Sequence, residues 1–317
     1  MTQAMKNRVF RRMYAPDRLT LGVFMSIEAF DGDPALQEDQ ERIAKMADES
    51  GFTALWVQDV SLWDPNFGDV RNKYDSFVYL TYLMSLTKRT ALATASTVLT
   101  HRHPLRLAKE TNTLDQLSGG RFVMGMSSGD RPIDFAGYGL DPETRSARFR
   151  DAFDFYKRLT TQPYTGVSSP LGTVPPGEMV PQALSYVPTL VVGQAQQTMD
   201  WIAEHSDGWM NYARPLYMQS HAIKEFRTKV EQYAPGVFKP FSQPLFLNLV
   251  EDPKADPIPI RFGFTTGREF LLEHLEEMRS AGINHVVIAP QKEATRPALE
   301  VLQEIAEEVL PHFPAHE

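Results

Sequence analysis

Short runs rich in β-branched and aliphatic residues alternate along this chain with longer segments whose apolar positions recur every three to four residues. The short runs predict strands at 19–25, 53–58, 91–98, 121–126, 189–192, 207–212, 244–250 and 284–289. The longer segments predict helices near 38–50, 74–88, 104–118, 145–160, 195–205, 215–232, 267–280 and 295–309. Leu271, Leu275 and Met278 mark one apolar helical face, as do Leu302, Ile305 and Val309. Gly51, Gly119 and Gly282 stand where a helix should stop ahead of the next strand, the place for a glycine C-cap. Eight strand–helix repeats predict one α/β domain, a single (β/α)8 TIM barrel over residues 19–310, with its chemistry at the C-terminal ends of the strands.

Two stretches break the repeat. Residues 162–188 carry Pro163, Pro170, Pro175, Pro176, Pro181 and Pro188, and residues 251–266 carry Pro253, Pro257 and Pro259. Both are expected to be loop insertions, and the first, following the fourth helix, is a candidate lid over the barrel mouth. Residues 1–18, with Lys6, Arg8, Arg11, Arg12 and Arg18, are expected to form a solvated extension, and residues 311–317 a short tail.

Composition narrows the functional classes. Acidic residues outnumber basic ones 40 to 32 over 317 residues, for a net charge of −8. That balance argues against a surface for nucleic-acid phosphates. Cysteine is absent, which removes disulfides, thiolate metal sites and cysteine nucleophiles and fits a cytoplasmic protein. No apolar run approaches the length of a membrane span, so no membrane partner is expected.

Candidate chemistry gathers at predicted strand ends. Gly125-Met126-Ser127-Ser128-Gly129 matches the G-x-S-x-G elbow of serine hydrolases, which needs a helix directly after the serine. Asp130, Pro132, Gly137, Gly139 and Pro142 instead predict an irregular loop of about a dozen residues. A glycine-rich loop where backbone approaches a ligand is the better reading. His101 and His103 have a metal-binding spacing without a third ligand nearby, so no metal is expected. His103, just before Pro104, is placed at the entrance of the following helix, where a site-lining role and a structural one are both open. Glu28 and Asp59 follow the first and second strands, where catalytic groups of barrels gather. Gly193-Gln194-Ala195-Gln196-Gln197-Thr198 leads from a strand into a helix, a setting that suits an anion. Fingerprints of the G-x-G-x-x-G and G-x-x-x-x-G-K kinds are absent.

Several of these segments together are distinctive: Ala93–Leu99, Arg102–Lys109, Leu114–Phe122, Gly125–Gly129, Gly193–Trp201 and Ala203–Trp209. They resemble the luciferase-like flavin-dependent monooxygenases, and Asp59, the loop 64–69 and Ser128–Pro132 resemble a luciferase-type oxidoreductase subfamily. The resemblance implies reduced FMN, or the deazaflavin F420 as an alternative, bound at the C-terminal face. It implies monooxygenation of a small organic substrate with O2, hydride transfer if the cofactor is F420, or flavin binding without turnover. A separate flavin reductase and a homodimer are also implied. By position, the Ala95–Ser96 bond matches a non-prolyl cis peptide that supports the flavin ring. Ser127 matches a reactive-cysteine position, Ser128 a phosphate-contacting arginine, and Gln194 to Thr198 the phosphate-binding segment. Two departures follow. Ser128 lacks the charged clamp of that arginine, leaving Arg131 as a nearby source of charge, and the histidine expected after the second strand is missing from Val60-Ser61-Leu62-Trp63. Glu28, Asp59 and His103 are the polar groups expected to position substrate or move a proton.

Overall fold

The computed structural model describes residues 2–25, 28–30, 33–34, 37–64, 66, 74–291 and 296–316. Eight parallel strands close on themselves: β1 (Thr20–Phe24), β4 (Ala54–Val57), β5 (Ala91–Val98), β6 (Phe122–Ser127), β9 (Thr189–Val192), β10 (Gly208–Met210), β11 (Phe241–Leu249) and β14 (His285–Pro290). Closure is made by β10 on β11 and by β14 on β1, with Trp209 opposite Phe241 and Thr20 opposite His285. Helices α3 (Gln37–Ser50), α4 (Ser76–Leu86), α5 (Pro104–Ser118), α7 (Arg145–Thr161), α8 (Met199–His205), α9 (Leu216–Tyr233), α10 (Arg268–Ser280) and α11 (Ala298–Glu304) form the outer ring. The expected barrel is therefore present, with all eight predicted strands in it. At the end of α5, Gly119 takes the left-handed conformation (φ +72°) that its C-cap position requires.

Strand alternation sorts the core into two layers. Leu55, Leu92, Phe122, Met124, Val286 and Ile288 face the helices. Ala54, Trp56, Ala91, Ala93, Val123 and Val287 face the barrel interior. The inner layer is small on β4 and β5, and the N-terminal segment fills the space this leaves. Helices α1 (Gln3–Lys6) and α2 (Arg8–Met13) bury Ala4, Val9, Phe10, Met13 and Tyr14 against that inner layer. The described residues 2–18 are thus no solvated extension. The basic side chains sit on one face of the short helices while Val9, Phe10 and Met13 occupy the other. The tail is likewise docked: Phe313 is buried, and the His316 N–H donates to the Arg12 carbonyl.

A polar cluster anchors this plug. Trp56 Nε1–H donates to His285 Nε2 at 3.0 Å, so the proton of the neutral ring lies on Nδ1, 2.9 Å from Thr20 Oγ1. The Thr20 hydroxyl in turn donates to the Met13 carbonyl at 2.7 Å. Room for the imidazole exists because β1 carries Gly22, where any Cβ would lie 2.7 Å from His285 Nε2.

The insertions differ from expectation in one respect. Residues 162–188 contain a hairpin of β7 (Val167–Ser169) and β8 (Gly172–Val174), then run down the outside of α5. Asn112 and Gln116 donate to the carbonyls of Pro181 and Gln182, and Asn7 meets Ser185 and Tyr186 at the bottom of the barrel. The segment is a strap on the helical shell, held by α5 side chains, and not a cover for the mouth. Residues 251–266 place β12 (Ile258–Ile260) and β13 (Gly263–Thr266) beside β11, extending the sheet. Residues 130–142, expected as irregular loop, contain the short helix α6 (Pro132–Gly137), with proline at its first turn and Phe135 buried beneath it.

Burial pulls the His285 imidazole down to about 3, and a second proton would set two N–H groups against each other at Trp56. The folded pKa lies below the ordinary 6.5, so the unfolded chain binds more protons between these values. This contribution to stability is complete above about pH 6.5 and is lost as pH falls toward 3. Urea midpoints should therefore decline across that window. His285→Gln should be less stable at pH 7 and should show a shallower decline.

Candidate active site at the C-terminal end of the barrel

The ends of β4, β5 and β6 meet in a polar cavity at the barrel mouth. Gln58, Asp59 and Val60 follow β4; Ala95, Ser96, Val98 and His101 belong to β5 and the 3-10 turn after it; Ser127, Gly129, Asp130, Arg131 and Asp134 come from β6 and the loop into α6. The Ala95–Ser96 peptide is cis. Ser96 Oγ–H donates to Ser127 Oγ at 2.7 Å, joining two small polar side chains into one low floor. Ser127 thus meets a second hydroxyl rather than an imidazole. Ser128 is buried behind this floor, its carbonyl taken by the Thr100 hydroxyl, and it does not line the cavity.

Asp59 holds the mouth together. Its Oδ2 accepts from the Val98 N–H and from Arg102 Nε, both at 3.1 Å, and its Oδ1 accepts from Arg102 Nη2 at 2.8 Å and from Ser76 Oγ at 3.3 Å. One carboxylate therefore ties the ends of β4 and β5 to the starts of α4 and α5. Burial opposes the charge on Arg102, but Asp59, Asp75 and Glu110 together hold its pKa above the usual arginine value. Both Asp59 oxygens are thereby engaged by the protein.

His103 does not join this cluster. The His103 ring faces outward, where Nδ1 accepts from the Leu105 N–H as the N-cap of α5 and Nε2 meets the Leu171 carbonyl of the strap at 3.0 Å. A proline at the first position of α5 puts its neighbour in the capping role. Glu28 lies in β2 (Glu28–Phe30), paired with β3 (Asp33–Pro34), and its side chain is outside the described residues.

The ring that does enter the cavity is His101, passed over as half of a metal-spaced pair. It stacks on Tyr138 at 4.8 Å and 24° and lies edge-on to Phe135 at 4.9 Å. Burial is the main force pulling its pKa down to about 4, with Arg148 and Arg102 adding to it and Asp59 opposing. Its Nε2 is buried without a hydrogen-bond partner. Asp134 is 1% exposed, and its Oδ1 is also unpartnered. Burial raises Asp134 above the ordinary carboxylate range, against the pull of Arg131 and the Leu62 N–H, and burial also raises Asp130. The roof over these groups comes from the loop after β4 leaning on α6, where Ser61 Oγ and Tyr138 Oη are 2.7 Å apart.

A second feature follows β9. Gly193 is at φ +64°, and Ala195 and Gln196 are also left-handed at +47° and +59°. The Gln197 N–H returns to the Gln194 carbonyl, whereas the N–H groups of Gln194, Ala195 and Gln196 donate to no carbonyl among the described residues. The helix expected from 195 starts only at Met199, because the turn occupies 193–196 and Thr198 is the N-cap, accepting from the Trp201 N–H. Gln197 points inward and, with Ser146 of α7, fixes the turn. Such a run of backbone donors is a concave anion site in chemical character.

The sequence pattern of the luciferase-like monooxygenases matches residues 19–239. The chain belongs to that family. It is 29% identical over 166 residues to the alkanal monooxygenase alpha chain of Photorhabdus luminescens, covering 52% of this chain and 44% of that one. It is also 29% identical over 157 residues to the 4-hydroxyprotoasukamycin monooxygenase of Streptomyces nodosus subsp. asukaensis, covering 48% and 41%. The chain thus spans under half the length of these curated relatives. In fold it is similar to an F420-dependent secondary alcohol dehydrogenase in complex with an F420-acetone adduct, with a TM-score of 0.76 and 18% identity over 93% of this chain and 98% of that one. It is also similar to the oxygenating constituent of 3,6-diketocamphane monooxygenase from Pseudomonas putida in complex with FMN, with a TM-score of 0.74 and 14% identity over 93% and 98%. Members of the luciferase-like family are flavin- or F420-dependent oxidoreductases. No described helix is long and apolar enough to cross a membrane.

Removing the counter-charge of Asp59 tests the clamp. The Arg102 and Asp59 side chains are 20% and 11% exposed, so breaking the pair costs less than the 3–5 kcal/mol of a fully buried one. Arg102→Met should lower unfolding free energy by about 2 kcal/mol. Arg102→Lys should lose less, as read by chemical denaturation.

Proposed function

We propose that this protein is a flavin-dependent monooxygenase that takes reduced FMN and O2 to a small organic substrate at the mouth of the barrel. The observation that carries the reading is the pairing, on one face, of the low floor at Ala95, Ser96 and Ser127 with the donor-rich turn from Gly193 to Thr198. A flat ring needs a floor without bulky side chains, and its phosphate needs a cluster of N–H donors. The chain's residues therefore fit the group.

Bound reduced FMN would supply the two electrons with which one atom of O2 enters the substrate and the other leaves as water. The chain's residues do the rest. Gln194, Ala195 and Gln196 hold the phosphate through their N–H groups, with the Thr198 hydroxyl beside them. Ala95, Ser96 and Ser127 would provide the low floor for the ring. Asp59 keeps the ends of β4 and β5 in place through Arg102. The loop after β4 and α6 exclude water from above. A separate flavin reductase, which the family resemblance implies, would supply the reduced FMN.

F420-dependent hydride transfer is the second reading. The phosphate turn suits either cofactor, and the similar alcohol dehydrogenase fold is one that holds F420. Two measurements separate the readings. Reduced FMN bound to the protein should support O2 uptake that responds to substrate, whereas reduction of F420 by an alcohol, without such uptake, would select hydride transfer. FMN should also bind at least tenfold more tightly than riboflavin, which lacks the phosphate. Thr198→Glu should abolish that difference by placing negative charge at the turn. Equal affinities for FMN and riboflavin in the unmodified protein would rule out the turn as the phosphate site.

A further inference from the structure

Two residues of the mouth cavity, His101 and Asp134, each present a buried polar atom that accepts or donates no hydrogen bond among the described residues. Asp134 Oδ1 and His101 Nε2 are both buried and both without a hydrogen-bond partner, while their residues line the same cavity. Both border the one cavity, and Phe135, which follows Asp134 in α6, lies edge-on to the His101 ring. A buried acceptor without a donor costs more than the hydrogen bond itself is worth, so such a pair is tolerated chiefly where a ligand group completes it.

The chemistry of the pair selects the group. With Asp134 ionised, its Oδ1 only accepts, so the ligand must bring a donor; an aldehyde or ketone oxygen would set lone pairs against it. An ammonium would donate to Asp134 but has no lone pair with which to accept an N–H from His101, whereas a hydroxyl can do both. We propose that Asp134 and His101 form a hydroxyl subsite, in which a substrate O–H donates to Asp134 Oδ1 while its oxygen accepts from His101 Nε2–H. The substrate class is then a small hydroxyl-bearing molecule, an alcohol or a phenol. This rests on the reading of the cavity as the substrate side of a flavin site, and neither residue is assigned a part in flavin binding.

The probes are matched pairs with and without the donor: cyclohexanol against cyclohexanone, and benzyl alcohol against benzaldehyde, with cyclohexylamine as the cationic analogue. Binding to the full chain is followed by calorimetry with and without FMN, and FMN affinity is measured on the same samples. At least one alcohol should bind about tenfold more tightly than its carbonyl partner, as expected for a hydrogen bond to a charged group. Asp134→Ala should remove that preference while leaving carbonyl affinity within about threefold. His101→Phe, which keeps a ring against Tyr138 and Phe135, should remove most of it. Asp134→Asn keeps the shape of α6 and should retain only part, which guards against a folding defect in the alanine variant. Equal affinities within both pairs, binding of no alcohol, tighter binding of cyclohexylamine, or a preference that survives both Asp134→Ala and His101→Phe would each overturn the proposal. Retained FMN binding with no alcohol preference defeats this inference alone, and lost FMN binding with the preference intact defeats the flavin reading alone.

Discussion

A parallel eight-stranded barrel stands only if its interior is filled, because an inner layer of side chains must replace the water that an open tube would hold. In this chain the strands fill it only in part. Ala54, Ala91 and Ala93 leave room at the bottom, and the room is taken by Phe10, Met13 and Tyr14 from the N-terminal helices together with Trp56 and the neutral His285. The plug is polar where it meets the strands: Tyr14 Oη reaches Ser242, and Thr20 joins His285 to the Met13 carbonyl. Sealing one end in this way leaves the C-terminal end as the open one. Polar side chains gather there at no cost to the core.

That open end still has to be rigid, and its rigidity is electrostatic. Asp59 takes four hydrogen bonds from three elements, and Arg102 spreads the same charge to Asp75 and Glu110. Phe77 lies 5.1 Å beneath the guanidinium and shields it from the opposite side. The floor of the cavity is thereby fixed, since Val98, which donates to Asp59, closes the strand that carries Ala95 and Ser96. Positioning and ligand contact are divided between different carboxylates. Asp59 is saturated by the protein, whereas Asp134 keeps one oxygen unmatched.

How much of this can be read without coordinates depends on the length scale of each signal. The eight barrel strands are legible because burial on both faces writes a continuous apolar run for each, and glycines such as Gly119 mark the stops. The plug is not, because Arg8, Arg11 and Arg12 dominate a short segment whose apolar face has only three members. The strap is legible as an interruption, from its prolines, but its path is set by carbonyls meeting Asn112 and Gln116 some 66 to 69 positions away. Asp59 is conspicuous at a strand end, yet its role depends on Arg102, 43 positions later. The cofactor turn is legible as a segment, but its conformation is not, because two left-handed residues other than glycine contradict local preference and are held by Ser146 and Gln197.

The histidines show why residue type and strand-end position do not suffice to find a site. His103 and His101 are two positions apart, and the deciding fact is geometric: a helix beginning at Pro104 turns His103 outward as its cap, while the preceding 3-10 turn carries His101 in. Desolvation alone does not mark function either, since it depresses His285 even further than His101. What differs is satisfaction. His285 has a donor on one nitrogen and an acceptor on the other, so its neutral state completes a closed network with nothing left to offer. His101 is equally neutral at physiological pH but has a buried nitrogen with no protein partner, at the edge of the cavity that also holds the unmatched oxygen of Asp134. A buried polar group that the protein satisfies belongs to the fold, and one that it leaves open where a ligand can reach it is where recognition should be sought.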